Sequence, residues 1–372
     1  MQRIQTTHTG SLPRPDDVAQ LIIQRDQGQP APGLPERVRD AVTEVLERQV
    51  GLGLDVVNDG EMGREGYATY VKDRLTGFEG EPGPPIVRAD DQDHPALAGR
   101  RPGTLFRRPT CNGEIRVKDP DAVQRDLTNL REGAARAGAG KLFMTAASPG
   151  VVALFLPNRH YASREEYLAA IAEAMRHEYR AIVDAGVILQ LDCPDLAMGR
   201  HFEFANSSLE EFRRVAALNV EALNHAVRDL PPERMRLHLC WGNYEGPHHR
   251  DVELKDIIDI VLQARPAGIS VEASNPRHAH EWQVFEDVRL PEGRYVIPGV
   301  IDSTNNFVEH PELVAQRLLN YARLLGAESV MAGTDCGFGT FVRLDWTVVP
   351  TVVWAKFRSM VDGARIAESR LG

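Results

Sequence analysis

Cysteine is scarce in this chain: Cys111, Cys193, Cys240 and Cys336 are the four in 372 residues, too few and too scattered for a disulfide framework. They are core residues, metal ligands or reactive thiols of a reducing compartment. Long apolar runs are absent too. No stretch approaches the ~18 apolar residues of a membrane span, and the segment Met1 to His8 has no apolar signal core, so a cytoplasmic protein with no membrane partner is expected. Positive charge is outweighed, 43 Lys and Arg against 53 Asp and Glu, and a net charge of -10 repels the phosphate backbone of a nucleic acid. What is present is ordinary globular usage, 42% hydrophobic and 26% charged, which excludes a disordered or collagen-like chain.

Short β-branched runs that end in polar residues alternate with amphipathic helical stretches, the pattern of parallel βαβ units. Eight strands are predicted: Ile4–His8, Asp55–Asn58, Lys141–Thr145, Val187–Asp192, Arg236–Cys240, Gly268–Glu272, Arg294–Ile301 and Ser329–Gly333. Helices are predicted over Arg164–Ala185, Leu209–Asp229, Lys255–Ala264 and Pro311–Leu325. Eight repeats are the count of a (β/α)8 TIM barrel, an α/β fold occupying residues 1–372 as one domain. About seventy residues rich in Gly, Pro and Arg separate strands two and three and read as an insertion over about 70–140. Within it Glu79–Pro85 is a loop by composition and Thr104–Lys118 is expected to form an extra hairpin, together a lid or one wall of a site.

In a barrel the C-terminal strand ends face the active site, and here they carry metal-binding groups. Strand five ends His238-Leu239-Cys240, strand six carries Glu272, and strand eight runs into Asp335-Cys336-Gly337. His238 and Cys240, two apart on a strand, share a face, and Glu272 and Cys336 converge on them from nearby ends. Taken singly, the cysteines read as buried small residues and His238 as a core histidine; taken together the set suits tetrahedral Zn2+. Two thiolates and a carboxylate more than cancel the charge of zinc, which makes it a weak generator of hydroxide and disfavours hydrolysis. The same ion accepts an incoming thiol as thiolate, so thiol alkylation follows, with Glu272 the ligand expected to yield. Ser11 with His8, Asp59 with Glu61, and Asp192 lie at other strand ends, where they hold a small thiol substrate or serve only as caps and turns.

Thr9-Gly10-Ser11-Leu12-Pro13-Arg14, Asp59-Gly60-Glu61, Leu191-Asp192-Cys193-Pro194 and the three metal-binding segments, in that order, resemble the catalytic zinc barrel of the cobalamin-independent methionine synthase family. The resemblance spans nearly the whole chain. It implies methyl transfer to homocysteine bound through zinc, with His238, Cys240, Glu272 and Cys336 as ligands and Ser11, Glu61 and Asp192 on the amino acid. The chain looks like the short single-barrel branch, which also includes the epoxyalkane:coenzyme M transferases. Relative to the long enzymes it has one barrel, no tryptophan in the stretch Met144–Tyr161, and Asp302-Ser303-Thr304-Asn305-Asn306 where the family has a histidine after strand seven. A long polyglutamyl folate is therefore not the expected donor, and Phe155, Trp241 and Phe338 are the candidate lining of a smaller donor pocket.

The proton at the leaving group is assigned to Asp302 or to His248, in Gly246-Pro247-His248-His249, although His248 and His249 read equally as exposed loop residues. The rival reaction is epoxide opening by a sulfonated thiol, for which Arg14, Arg64 or Arg277 are the cationic candidates. A rival from another class is a zinc-stabilised binding protein without catalysis. The expected partners are a small thiol and a methyl or alkyl donor, and a homo-oligomer is left open.

Overall fold

The computed structural model describes residues 3–98, 107–344 and 346–371. One sheet runs in chain order through β1 (Val56–Val57), β2 (Lys141–Ala147), β3 (Ile188–Asp192), β4 (Met235–His238), β5 (Gly268–Val271), β6 (Tyr295–Ile301) and β7 (Gly333–Thr334). Every neighbouring pair is parallel, so each connection is a crossover, and helices fill most of them. The extended segment 4–8 links the two ends of the sheet. Thr6 bridges Ala332 on the β7 side, and its carbonyl accepts from the amides of Asp55 and Val56 on the β1 side, each at 3.1 Å. The result is a mixed α/β architecture with a curled, all-parallel sheet, TIM-barrel-like in form. The predicted strand Ile4–His8 keeps ladder geometry only at Thr6, because the Asp55 carboxylate takes the Thr6 amide at 2.8 Å.

Strands β2 to β6 are buried almost end to end, as expected of parallel strands covered on both faces. Their interior is partly polar. Arg236 on β4 is buried against the Phe143 ring, its guanidinium 3.7 Å from the centroid, and donates to Gln190 Oε1, Thr7 Oγ1 and the His8 carbonyl at 2.8 to 3.0 Å. Those bonds offset the cost of burying a charge.

Outside the sheet, the helices Arg164–Asp184 and Leu209–Ala226 begin where Ser163 and Ser208 accept from the amides of Glu166 and Glu211, caps worth about 1 kcal/mol each. Pro311–Leu325 forms as predicted. Lys255–Ala264 does not form one helix: it breaks into Leu254–Asp256 and Ile258–Val261. Its β-branched Ile257, Ile258, Ile260 and Val261 are poor helix formers and all are buried, so packing decides the local shape.

The hairpin expected within Thr104–Lys118 is also absent, positions 104–106 lying outside the described residues. Instead 108–117 runs antiparallel to 75–83, with bridges Pro82 to Pro109 and Leu75 to Val117. The longer-range pairing is fixed from outside, because the Cys111 amide donates to the Pro157 carbonyl at 2.8 Å. Among the described residues no helix is long and apolar enough to cross a membrane.

Candidate metal centre and its cavity

The strand ends bring three of the expected metal ligands together. His238 is paired in register with Asp192 on β3 and Ser270 on β5, and Cys240 follows two residues on along the same face. Cys336 arrives from β7. Its turn presses so close to segment 9–11 that a Cβ on Gly337 would stand 2.1 Å from Ser11 Oγ, which only glycine permits. The donor atoms of His238, Cys240 and Cys336 all lie within 4.8 Å of one another, with the two sulfurs 3.6 Å apart.

This set fits a soft divalent cation. Two sulfurs on a tetrahedral zinc, each at ~2.3 Å, stand about 3.8 Å apart, close to the spacing seen. His238 Nδ1 contacts Asp192 Oδ1 at 3.3 Å, while its buried Nε2 has no partner. A carboxylate behind an imidazole whose other nitrogen is bare is the usual support of a ligating histidine. The Cys336 sulfur and burial push the Cys240 thiol well above its ordinary value, so ionising this pair calls for a positive charge beside it.

Glu272, the fourth expected ligand, is turned aside. Its oxygens accept from the Trp241 amide and from Asn275 Nδ2, each at 2.8 Å, and it stands outside the three-residue group. Burial, then the Cys240 sulfur, raises its carboxyl well above the usual range.

All three clustered ligands line a cavity of about 380 Å³. The polar and acidic part of its lining includes Ser11, Glu61 and Asp192, with Asp192 against His238. Glu61 adopts a left-handed φ of 57°, its amide donating to Asp59 Oδ1 at 3.0 Å. Oε1 accepts from Thr145 Oγ1 at 2.9 Å, whereas Oε2 is buried with no partner. Burial pushes the Glu61 carboxyl up to about 7, opposed by Arg64 and reinforced by Asp192. The rest of the lining is largely aromatic, with Tyr67, Phe155, Phe202, Tyr244 and Phe341, and segment 85–91 contributes Pro85 to Arg88 and Asp91, alongside Arg108.

Other expected groups lie elsewhere. Asp302 is not in the described lining; its carboxylate accepts from the Thr304 amide and hydroxyl and from Asn305, all within 2.7 Å, and it borders an adjoining pocket with Glu272, Asp335 and Arg277. His248 is also outside the cavity, its nitrogens facing Asp251 Oδ2 and the Tyr244 carbonyl. Both were natural choices from their loops, but each spends its polar atoms on local bonds. Arg14 is tied to the Glu61 and Gly339 carbonyls and Arg64 to Thr145, so neither faces the cavity. His8 pairs with Gln49. Of the apolar candidates only Phe155 lines the cavity, since Trp241 is buried on His278 and Phe338 packs on Phe357. Cys111 and Cys193 are buried core thiols.

Sequence reasoning missed Tyr67, Phe341, Arg88 and Arg108, which sit on loops without strand-end periodicity. It also missed the task of Asp335, whose carboxylate accepts from the Ala273, Ser274 and Asn275 amides at 2.8 to 2.9 Å and fixes the loop after Glu272.

The family model described as cobalamin-independent synthase, catalytic domain, matches residues 149–365, more than half of the chain. The chain belongs to the cobalamin-independent synthase family. The matched span contains His238, Cys240, Glu272 and Cys336, while Ser11 and Glu61 precede it. Among relatives of this family, the chain is 24% identical to a methionine synthase of Saccharolobus solfataricus over 370 residues, covering 98% of this chain and 95% of the relative. It is 25% identical to a methionine synthase of Thermococcus kodakarensis, covering 98% and 94%. A solved B12-independent methionine synthase from Shewanella sp. W3-18-1 shares the fold, with a TM-score of 0.76 at 22% identity over 99% of both chains. A methyltransferase from Methanosarcina mazei does so with a TM-score of 0.58 at 15% identity, covering 98% of this chain and 94% of that one. Membership places this chain in a methionine synthase-like methyltransferase family.

Proposed function

We propose that the chain transfers a methyl group to the sulfur of homocysteine, with Zn2+ held by His238, Cys240 and Cys336 and the amino acid held beside it by Ser11, Glu61 and Asp192. The observation that carries this reading is the placement of three soft donors within 4.8 Å of one another in the wall of a cavity that the other three residues also line. Zinc with three protein ligands keeps a position for substrate and supplies the acceptor sulfur as thiolate at neutral pH. The residues around it do the rest. Asp192 orients His238. The bare Glu61 Oε2 is a ready partner for a substrate ammonium, a charge-assisted bond worth ~1.5 to 3 kcal/mol. Glu272, bonded to the Trp241 amide, positions the turn that presents Cys240, and we read it as a ligand only in the absence of thiol.

The aromatic part of the cavity lining holds the donor with its reacting carbon toward the sulfurs, where alignment lowers the barrier. The proton for the leaving group is assigned to neither Asp302 nor His248. We further read segment 4–8 as the first strand of a complete (β/α)8 barrel, and residues 1–372 as one working unit. Acidic groups in the lining favour an ammonium over a sulfonate, which sets homocysteine ahead of coenzyme M.

The deciding experiment replaces the metal with cobalt and compares homocysteine, coenzyme M, glutathione and cysteine for perturbation of its absorption. Homocysteine is expected to perturb it at the lowest concentration. A response to coenzyme M alone would move the reaction to epoxide opening, and no response to any thiol would leave a binding protein.

A further inference from the structure

A second convergence of imidazole and carboxylate groups lies outside the cavity. Asp251 is buried, and three histidines meet its carboxylate: His248 Nδ1 at 2.8 Å and His278 Nε2 at 3.0 Å on Oδ2, and His201 Nδ1 at 3.0 Å on Oδ1. The far nitrogens decide where the hydrogens are. His248 Nε2 lies 3.0 Å from the Tyr244 carbonyl and His278 Nδ1 lies 2.8 Å from Glu281 Oε2, and a carbonyl or carboxylate oxygen only accepts. Each far nitrogen therefore carries its hydrogen, and a neutral ring then turns a lone pair toward Asp251. Two lone pairs facing one carboxylate oxygen at 2.8 and 3.0 Å repel unless positive charge lies among them. His201 sharpens the point. Its Nδ1 and Asp251 Oδ1 meet at 3.0 Å without the alignment of a hydrogen bond, and both atoms are buried with no partner.

We propose that His248, Asp251 and His278 hold a divalent first-row transition ion at a site separate from His238, Cys240 and Cys336. Two imidazoles and a carboxylate suit such an ion, and their atoms lie within 4.8 Å of one another. Each ring is already fixed by a bond from its far nitrogen, to a backbone carbonyl in one case and a carboxylate in the other, the usual support of ligating histidines. Charge also balances: one divalent ion cancels Asp251 and Glu281 with every imidazole neutral. His201 lies against the other carboxylate oxygen, outside the three-ligand set. His248 has a left-handed φ of 54°, costly for a side chain of its size, and Asp90 of the insertion holds it there by accepting its amide at 2.9 Å. The ion ties the loop after β4 to the loop after β5, and the His248 amide links that pair to Asp90. It also backs Trp241, whose ring lies tilted against His278 with centroids 4.3 Å apart, next to Cys240.

The test does not depend on what the thiol site does. Wild-type chain and the double variant Cys240→Ser/Cys336→Ser are stripped with chelator, refilled with Co2+, and assayed for metal content, absorption and X-ray absorption. Wild type is expected to bind about two equivalents and the double variant about one, with only nitrogen and oxygen neighbours and no sulfur-to-cobalt band. Asp251→Asn in the double variant should abolish that binding, with His278→Gln as the substitute if Asp251→Asn does not fold. A folded double variant that binds no cobalt would show that protons alone hold the cluster and overturn the proposal. So would an equivalent that survives Asp251→Asn or His278→Gln in folded protein.

Discussion

The floor and the mouth of the cavity are built by different means. On the floor, parallel register does the placing: Asp192 and His238 are direct partners across β3 and β4, and Cys240 and Cys336 follow strand ends two residues on. At the mouth, Pro85 to Arg88 and Arg108 come from irregular segments anchored by a few buried side chains such as Phe78, Cys111 and Ile115 and by isolated bridges, with no ladder to fix their register. A shift in strand register would move every group on the floor at once, whereas a mouth residue can change without its neighbours moving. On the function proposed above, reaction type would be carried by the sheet and donor choice by the loops.

The floor is where substitutions should cost most. Cys240→Ser or Cys336→Ser is expected to remove most of the metal and lower transfer by roughly 10³-fold or more, while the far-ultraviolet spectrum stays that of wild type. Full metal retention in both variants would break the assignment of the floor. Next in size is Asp192→Asn, which loosens the orientation of His238 and should weaken metal affinity about 10 to 100-fold in a chelator competition.

Glu61→Gln separates the acidic floor from the metal itself. Loss of a charge-assisted bond of ~1.5 to 3 kcal/mol predicts a KM for homocysteine roughly 10 to 100-fold higher, with metal content unchanged. Because burial holds this carboxyl up to about 7, an ammonium is bound better as pH rises through that value, and KM should fall there in wild type but not in Glu61→Gln. Stability runs the other way. The folded carboxyl keeps a proton that the unfolded chain releases above 4.5, so its contribution declines between 4.5 and about 7 and then levels off. Thermal melts of both proteins across that range check the sign.

This division also explains what could be read without coordinates. Six of the eight predicted strands form in place and a seventh, Ser329–Gly333, shifts to Gly333–Thr334; the floor follows from them, because period-two alternation and residue order place His238, Cys240 and Cys336 on converging ends. Glu272 illustrates the first limit: its strand position is as expected, but whether its carboxylate turns to the sulfurs or to the Trp241 amide depends on Asn275, a side-chain choice with no periodic signal. Thr104–Lys118 illustrates the second. Its partner is the arm 75–83, about thirty residues earlier, and the contact that fixes it comes from Pro157. His248 was legible as a titratable loop residue with Asp251 in the same turn, yet His278 and His201 arrive from the loops after β5 and β3, so only the fold distinguishes a cluster from an exposed acid.

The smallest expected effect lies at the mouth, and it sharpens the contrast. Arg108 donates to the Phe155 carbonyl at 3.2 Å and lies 5.7 Å over the Phe155 ring, and among the described residues no carboxylate pairs with it. Burial alone lowers it from its ordinary value, so its charge is not neutralised by the protein. A partly screened guanidinium at the rim adds about 1 kcal/mol to an anionic donor, which corresponds to roughly a five-fold change. Arg108→Ala should therefore raise the KM of an anionic methyl donor by about 3 to 10-fold, leave that of a neutral donor within about two-fold, and leave metal content and homocysteine binding unchanged. Measuring both donors matters, because a general loss with either one would mean that Arg108 props Phe155 rather than reads charge. A fall in metal content would go further: it would show that the insertion helps set the floor, and the separation between sheet and loops would fail.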